Sequence, residues 1–130
     1  MIRISSIEGF EDIKDTYYMF KRSNSVLFKN KNTKKFIKPF KKKGKLNGYM
    51  YLKLATKDNK FRNIRIHRLI ASAFIENEDS FFDEVHHRDN NRANNKINNL
   101  EWTDRKGNMF YVFNYDNENY LDGEDLPIVI

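Results

Sequence analysis

The chain has 130 residues, 39% of them hydrophobic and 15% aromatic, enough for one domain, or one domain with a small appendage, around a modest core rich in Phe and Tyr. Its 24 Lys and Arg against 18 Asp and Glu leave a net charge of +6; the mean hydropathy of −0.82 marks a heavily polar surface, and the lack of cysteine excludes disulfides and every thiolate zinc site. No apolar run approaches the ~18 residues of a membrane span, and the opening residues lack a secretory leader, so an intracellular setting is expected.

The first half is strongly basic. Residues 1–75 hold 19 Lys or Arg against 5 acids, whereas residues 76–130 hold 5 against 13. A basic half suits a polyanion, because Lys and Arg on phosphates release condensed counterions; a solvated, lysine-rich surface is the alternative. Tyr17, Tyr18 and Phe20 read as one strand and residues 26–28 as another, with a Lys- and Asn-rich turn at 29–35. Residues 36–40 read as a short strand ended by Pro39, and 41–48 as a basic, Gly-containing loop. Residues 49–54 and 63–66 flank a longer loop and predict a β-hairpin. Ile66, Leu69, Ile70, Ala73 and Phe74 recur at helical spacing, so residues 67–74 predict a helix.

The last block carries the chemistry. Residues 84–87 read as a strand, 88–99 as a long polar loop rich in Asn, and 100–103 as a second strand. Thr103 or Asp104 is placed to cap a helix over 105–113, with Gly107 as its weak point. The acidic stretch 114–125 has no clear period. Phosphodiester hydrolysis needs a base near neutral pH, a cation beside the phosphate and a rigid frame. His86 and His87 are adjacent on one strand, so their side chains diverge and suit two different tasks. A strand–loop–strand–helix unit would return Asn108 across them. A His-His pair alone is usually two ordinary surface or partly buried histidines.

The string VHHRDNNRANNKINNLEWTDRKGN at 85–108 resembles the HNH endonucleases of phages and related homing enzymes, whose pattern is an Asp-His or His-His pair, an Asp two residues on, Asn-Asn, Asn-Leu-x-Trp and a final Asn. HRLIASAF at 67–74 is similar to the helix that precedes the pair in that family, and IEGF at 7–10, the 17–27 stretch and GYMYLKL at 48–54 resemble, more loosely, its N-terminal modules. The resemblance covers roughly residues 5–110.

It implies an α+β fold: a ββα-metal (His-Me finger) nuclease core at 63–113, preceded by a small basic antiparallel β-sheet region at 1–62 that binds DNA and followed by an acidic tail at 114–130. It implies that His87 is the general base, that His86 and Asn108 hold one divalent metal ion, and that Asn99 braces the loop and orients the base. The ion would be Mg²⁺ or Mn²⁺, with His86 in place of the Asp of close homing relatives shifting preference toward Mn²⁺, Co²⁺ or Ni²⁺. Double-stranded DNA is the expected partner, and no membrane. Lys34, Lys35, Lys38, Lys41, Lys42, Lys43 and Lys45 are candidates for phosphate contacts in the basic half, and Arg88, Arg92 and Arg105 near the site. His67, Leu100 and Trp102 are expected in the core, and Asp89 in an Asx-type turn. The function implied is a metal-dependent DNA endonuclease, a nickase when one site acts alone. The alternative is a catalytically weak or inactive DNA-binding or regulatory protein of the same fold.

Overall fold

The computed structural model describes residues 1–42, 48–77 and 82–104. Among the described residues, three antiparallel sheets and one α-helix follow in chain order. The first sheet runs β1 (Ile2–Arg3), β2 (Tyr17–Arg22), β3 (Ser25–Asn30) and β4 (Lys35–Phe36), in that spatial order. Its central hairpin closes on Ser23 and Asn24, with Ser23 at φ 55°. Register explains its two faces: Met19 pairs with Phe28 on the buried side, while Tyr18 pairs with Lys29 and Phe20 with Leu27 on the other.

The second sheet comprises β5 (Phe40–Lys41), β6 (Met50–Ala55) and β7 (Phe61–Arg65). The hairpin expected from 49–54 and 63–66 is therefore β6–β7. Its turn is held by Asn59 at φ 65° and by Thr56 Oγ1, which accepts the Lys60 N–H at 3.1 Å. The strand expected at 36–40 is instead two: β4 pairs with β3, β5 pairs with β6, and the link through Pro39 carries the chain from one sheet to the next. Proline has no N–H to give to a ladder, so it suits the crossing rather than the end of one strand. The first segment is also tied to the second sheet, through a bridge between Ile13 and Thr56 and a bond from the Lys14 N–H to the Ala55 carbonyl at 3.0 Å.

The helix α1 (Ile66–Phe74) starts directly where β7 ends. Ile66, Leu69, Ile70 and Ala71 are buried against the sheets, and the Ile75 N–H closes its last turn on the Ala71 carbonyl at 3.0 Å. The third sheet pairs β8 (Glu84–His87) with β9 (Leu100–Thr103), the two strands expected from the sequence at those positions. The helix expected at 105–113 and the tail at 114–130 lie outside the described residues. One apolar cluster runs from Ile4, Ile13 and Met19 through Leu52, Leu54, Leu69 and Ile70 to Val85 and Leu100. Each such aliphatic side chain contributes roughly 1.5–3 kcal/mol on burial, so all three sheets share one source of stability. The division expected between residues 62 and 63 falls inside β7, and that core spans it, because β7 is half of a hairpin whose partner strand supplies Leu52 and Leu54.

Candidate active site

The β8–β9 register sets His86 opposite Glu101 and His87 opposite Leu100. Successive strand residues face opposite sides, so the two imidazoles diverge as their adjacency predicts. Both are buried, at 2% and 4% exposure.

The twelve-residue connection from β8 to β9 is a polar loop locked by its own side chains. Asp89 Oδ1 accepts the Asn91 N–H at 2.8 Å, the Asx turn expected there. Asp89 Oδ2 accepts from Asn94 Nδ2 at 2.8 Å. Asn99, at the end of a short 3-10 turn, closes the loop: its Oδ1 accepts the Asp89 N–H at 3.1 Å, and its Nδ2 donates to Asp89 Oδ1 at 2.9 Å and to the Asn94 carbonyl at 2.8 Å. Partial burial alone would raise the Asp89 pKa, but the donors from Asn94, Asn91 and Asn99 outweigh it and hold the carboxylate below its usual range. The first sheet braces the loop from outside, since the β2–β3 turn accepts the Ile97 N–H on the Asn24 carbonyl at 2.9 Å and the Asn98 N–H on Asn24 Oδ1 at 3.0 Å.

His87 is fixed on two sides. Its Nε2 lies 2.8 Å from Asn95 Oδ1; with a carbonyl oxygen as partner, Nε2 carries the proton and Nδ1 is the lone pair that accepts. Its ring meets His67 at 5.0 Å, and His67 in turn stacks on Tyr49 at 4.7 Å, nearly parallel at 7°. Arg65 and Arg92 each set a guanidinium carbon 4.7 Å from the centre of the Tyr49 ring, so two cations gather beside the histidines. Gly48, at φ +76°, lets the chain turn into β6 while Arg92 passes 3.5 Å from where a β-carbon would stand. Burial pushes the His67 pKa down to about 3, with further lowering from His87, Arg68, Arg65 and Arg92. Burial also lowers that of His87, against the opposing pull of Asn95 and Asp89. Both rings are neutral at pH 7, the form in which His87 can take a proton.

His86, His87 and Asn99 are thus brought together on one hairpin. Asn99 braces the loop, but the bond to the His87 ring comes from Asn95, four residues earlier. Arg92 joins the cluster through Tyr49, whereas exposed Arg88 pairs with Glu101 at 3.6 Å. Lys34 is exposed on the β3–β4 turn, Lys35 in β4 and Lys38 on the link after it, and Lys41 and Lys42 stand at β5, with the Lys42 amine 5.6 Å from the Tyr51 ring centre. Asn108, Arg105, Lys43 and Lys45 lie outside the described residues. Sequence reasoning missed Asn95, Tyr49 and Arg65. Asn95 is one of many Asn in its loop and carries no distinguishing spacing, while Arg65 stands two residues before His67, which the strand-to-helix junction turns toward the same ring. Trp102 packs against the core and donates Nε1–H to the Ile75 carbonyl at 2.9 Å.

Among the described residues, no three His, Cys, Asp or Glu side chains cluster as metal ligands. No described helix is long and apolar enough to cross a membrane.

Two relatives of Acanthamoeba polyphaga mimivirus, both named as uncharacterized HNH endonucleases, are similar to the chain. One is 38% identical over 94 residues, 72% of this chain and 26% of its own length; the other is 35% identical over 69 residues, 53% of this chain and 16% of its own. The chain therefore spans about a quarter or less of the relatives it matches. No protein-family profile matches the chain, and no solved structure matches it.

Proposed function

We propose that the chain is a metal-dependent endonuclease of the HNH type, with a ββα-metal core, that hydrolyses phosphodiester bonds in double-stranded DNA. One observation carries the reading: a neutral, buried His87 whose Nε2–H is held by Asn95, leaving Nδ1 as the acceptor, next to His86 on a hairpin whose loop is cross-braced by Asp89 and Asn99. The names of the two viral relatives agree with it. His87 Nδ1 takes the proton of a water as its oxygen attacks phosphorus; the bond to the 3′ oxygen breaks, and that oxygen leaves with the electron pair and takes a proton from solvent. Asn95 and the His67–Tyr49 stack hold the ring so that this proton transfer needs no side-chain search. Arg92 and Arg65 on Tyr49 place positive charge where phosphate would approach. The expected donor set, the His86 nitrogen and the Asn108 oxygen, is one a divalent Mg²⁺ or Mn²⁺ accepts while keeping positions for water and phosphate. When bound, such an ion neutralises charge on the phosphate oxygens.

Supercoiled plasmid incubated with the protein and Mg²⁺ or Mn²⁺ tests this. Nicked circles that vanish with His87→Ala are expected. Retarded plasmid with no nicking in either metal would overturn catalysis. That outcome favours the second reading, an inactive DNA-binding protein of this fold.

A further inference from the structure

The outward face of the first sheet carries aromatic rings where a solvated sheet face would ordinarily carry polar side chains. Register sets Arg3 beside Tyr18, Tyr18 beside Lys29 and Lys29 beside Phe36 across the four strands, with Phe20 two residues along β2. These side chains oppose the buried Met19 and Phe28, so they share the outer face. Phe36 is 61% exposed, and its ring centre lies 6.1 Å from that of Phe20, across β3. Positive charge is interleaved with the rings: the Lys29 amine is 5.5 Å from the centre of Phe36, the Lys31 amine 5.2 Å from Tyr18 and the Arg3 guanidinium 5.7 Å from Tyr18. Arg3 also fixes the Tyr18 hydroxyl with donors at 3.1 and 3.2 Å. No Asp or Glu occurs in any of the four strands.

We infer that this face is a platform on which unpaired bases of single-stranded DNA stack. Exposed Phe36 and the half-buried Tyr18 and Phe20 gain little from a duplex, whose bases are already stacked and whose outer surface is phosphate and sugar. An unpaired strand offers both parts the face lacks, flat π-surfaces for Tyr18, Phe20 and Phe36 and phosphates for Arg3, Lys29 and Lys31. Rings two residues apart on a strand stand ~7 Å apart, a spacing an extended single strand can follow base by base. The choice of DNA over RNA rests on the nuclease reading; the stacking does not.

The test uses the full chain in a chelator, so that cleavage plays no part. A labelled oligo-dT of about 15 nucleotides, within the span such surfaces cover, is titrated by fluorescence anisotropy beside a duplex of equal length and an oligo-U. Phe20→Ala with Phe36→Ala is expected to weaken oligo-dT binding at least about tenfold and to leave duplex binding within about twofold. Phe36→Trp is expected to bind as the parent does, with its emission quenched by oligo-dT and not by the duplex. Unchanged oligo-dT affinity in the double variant, or an equal loss on the duplex, overturns stacking; tighter binding of oligo-U than of oligo-dT overturns the assignment to DNA. The unfolding midpoint of the double variant separates a binding loss from a folding loss, and parental affinity without quenching in Phe36→Trp likewise overturns the proposal.

Discussion

Asn95 and His67 act on the same imidazole in different ways, and each leaves a distinct signature. The Asn95 bond raises the His87 pKa against the lowering by burial. Asn95→Ala should therefore move the acid limb of the nicking rate to lower pH while reducing the plateau about 10- to 100-fold, as removal of an orienting partner does; a pH–rate profile of both proteins checks it. His67 shows itself in stability. Its folded pKa of about 3 lies below the unfolded value of 6.5, so the unfolded chain binds a proton that the folded chain refuses. The penalty is absent above pH 6.5, grows as pH falls through 6.5 and levels off only near 3. By pH 5 it amounts to about 2 kcal/mol for this one ring. Urea melts across that window should show stability falling with acid, and His67→Phe, which keeps an aromatic ring in the stack but cannot titrate, should flatten the slope.

The β8–β9 hairpin depends less on its strands, four residues each, than on the loop between them. Asn99 alone satisfies the Asp89 N–H, an oxygen of the Asp89 carboxylate and the Asn94 carbonyl. Asn99→Ala removes all three bonds and leaves the Asp89 N–H and the Asn94 carbonyl without this partner at a part-buried site, while Asp89 Oδ1 keeps the Asn91 N–H, for a loss of about 1–3 kcal/mol; an unfolding midpoint measured by circular dichroism checks it, and Asn99→Asp should lose nearly as much, since Asp cannot donate to the Asn94 carbonyl. This loop also shows how far the sequence could be read. The strand at 100–103 was legible because Leu100 and Trp102 alternate with Glu101 and Thr103, and α1 because Ile66, Leu69 and Ile70 recur at its period. The pairing of Asn95 with His87 was not legible, because a loop holds residues by individual hydrogen bonds that leave no period in the sequence. The split of residues 36–40 between two sheets was hidden for a related reason: Pro39 marks an interruption, but only tertiary pairing decides whether the chain ends a strand or changes sheets.

At the scale of the whole chain, charge rather than shape dominates the expected encounter with DNA. The basic half holds 19 cations against 5 acids, and the remainder 5 against 13, so one end of the sequence attracts phosphate while the other repels it. Not every lysine is equally available. Lys57 lies 3.5 Å from Asp15, and the Arg62 guanidinium is tied to Asp12 at 2.6 Å, whereas Lys34, Lys35 and Lys38 are exposed along the edge of the first sheet. If about five of the basic side chains meet phosphates, log affinity should fall with log salt at a slope near −4.5, roughly a 500-fold weakening between 50 and 200 mM. Lys34→Gln, Lys35→Gln and Lys38→Gln together should then reduce that slope by about 2.7, at about 0.9 for each phosphate left without its cation. Lys57→Gln should leave it nearly unchanged, since the charge removed is already opposed by Asp15. Anisotropy titrations of a duplex over a salt series, without divalent metal, compare the slopes. A triple variant with the parental slope would move the phosphate-binding surface away from this edge, toward cations such as Lys41 at β5 or Arg65 and Arg92 on Tyr49.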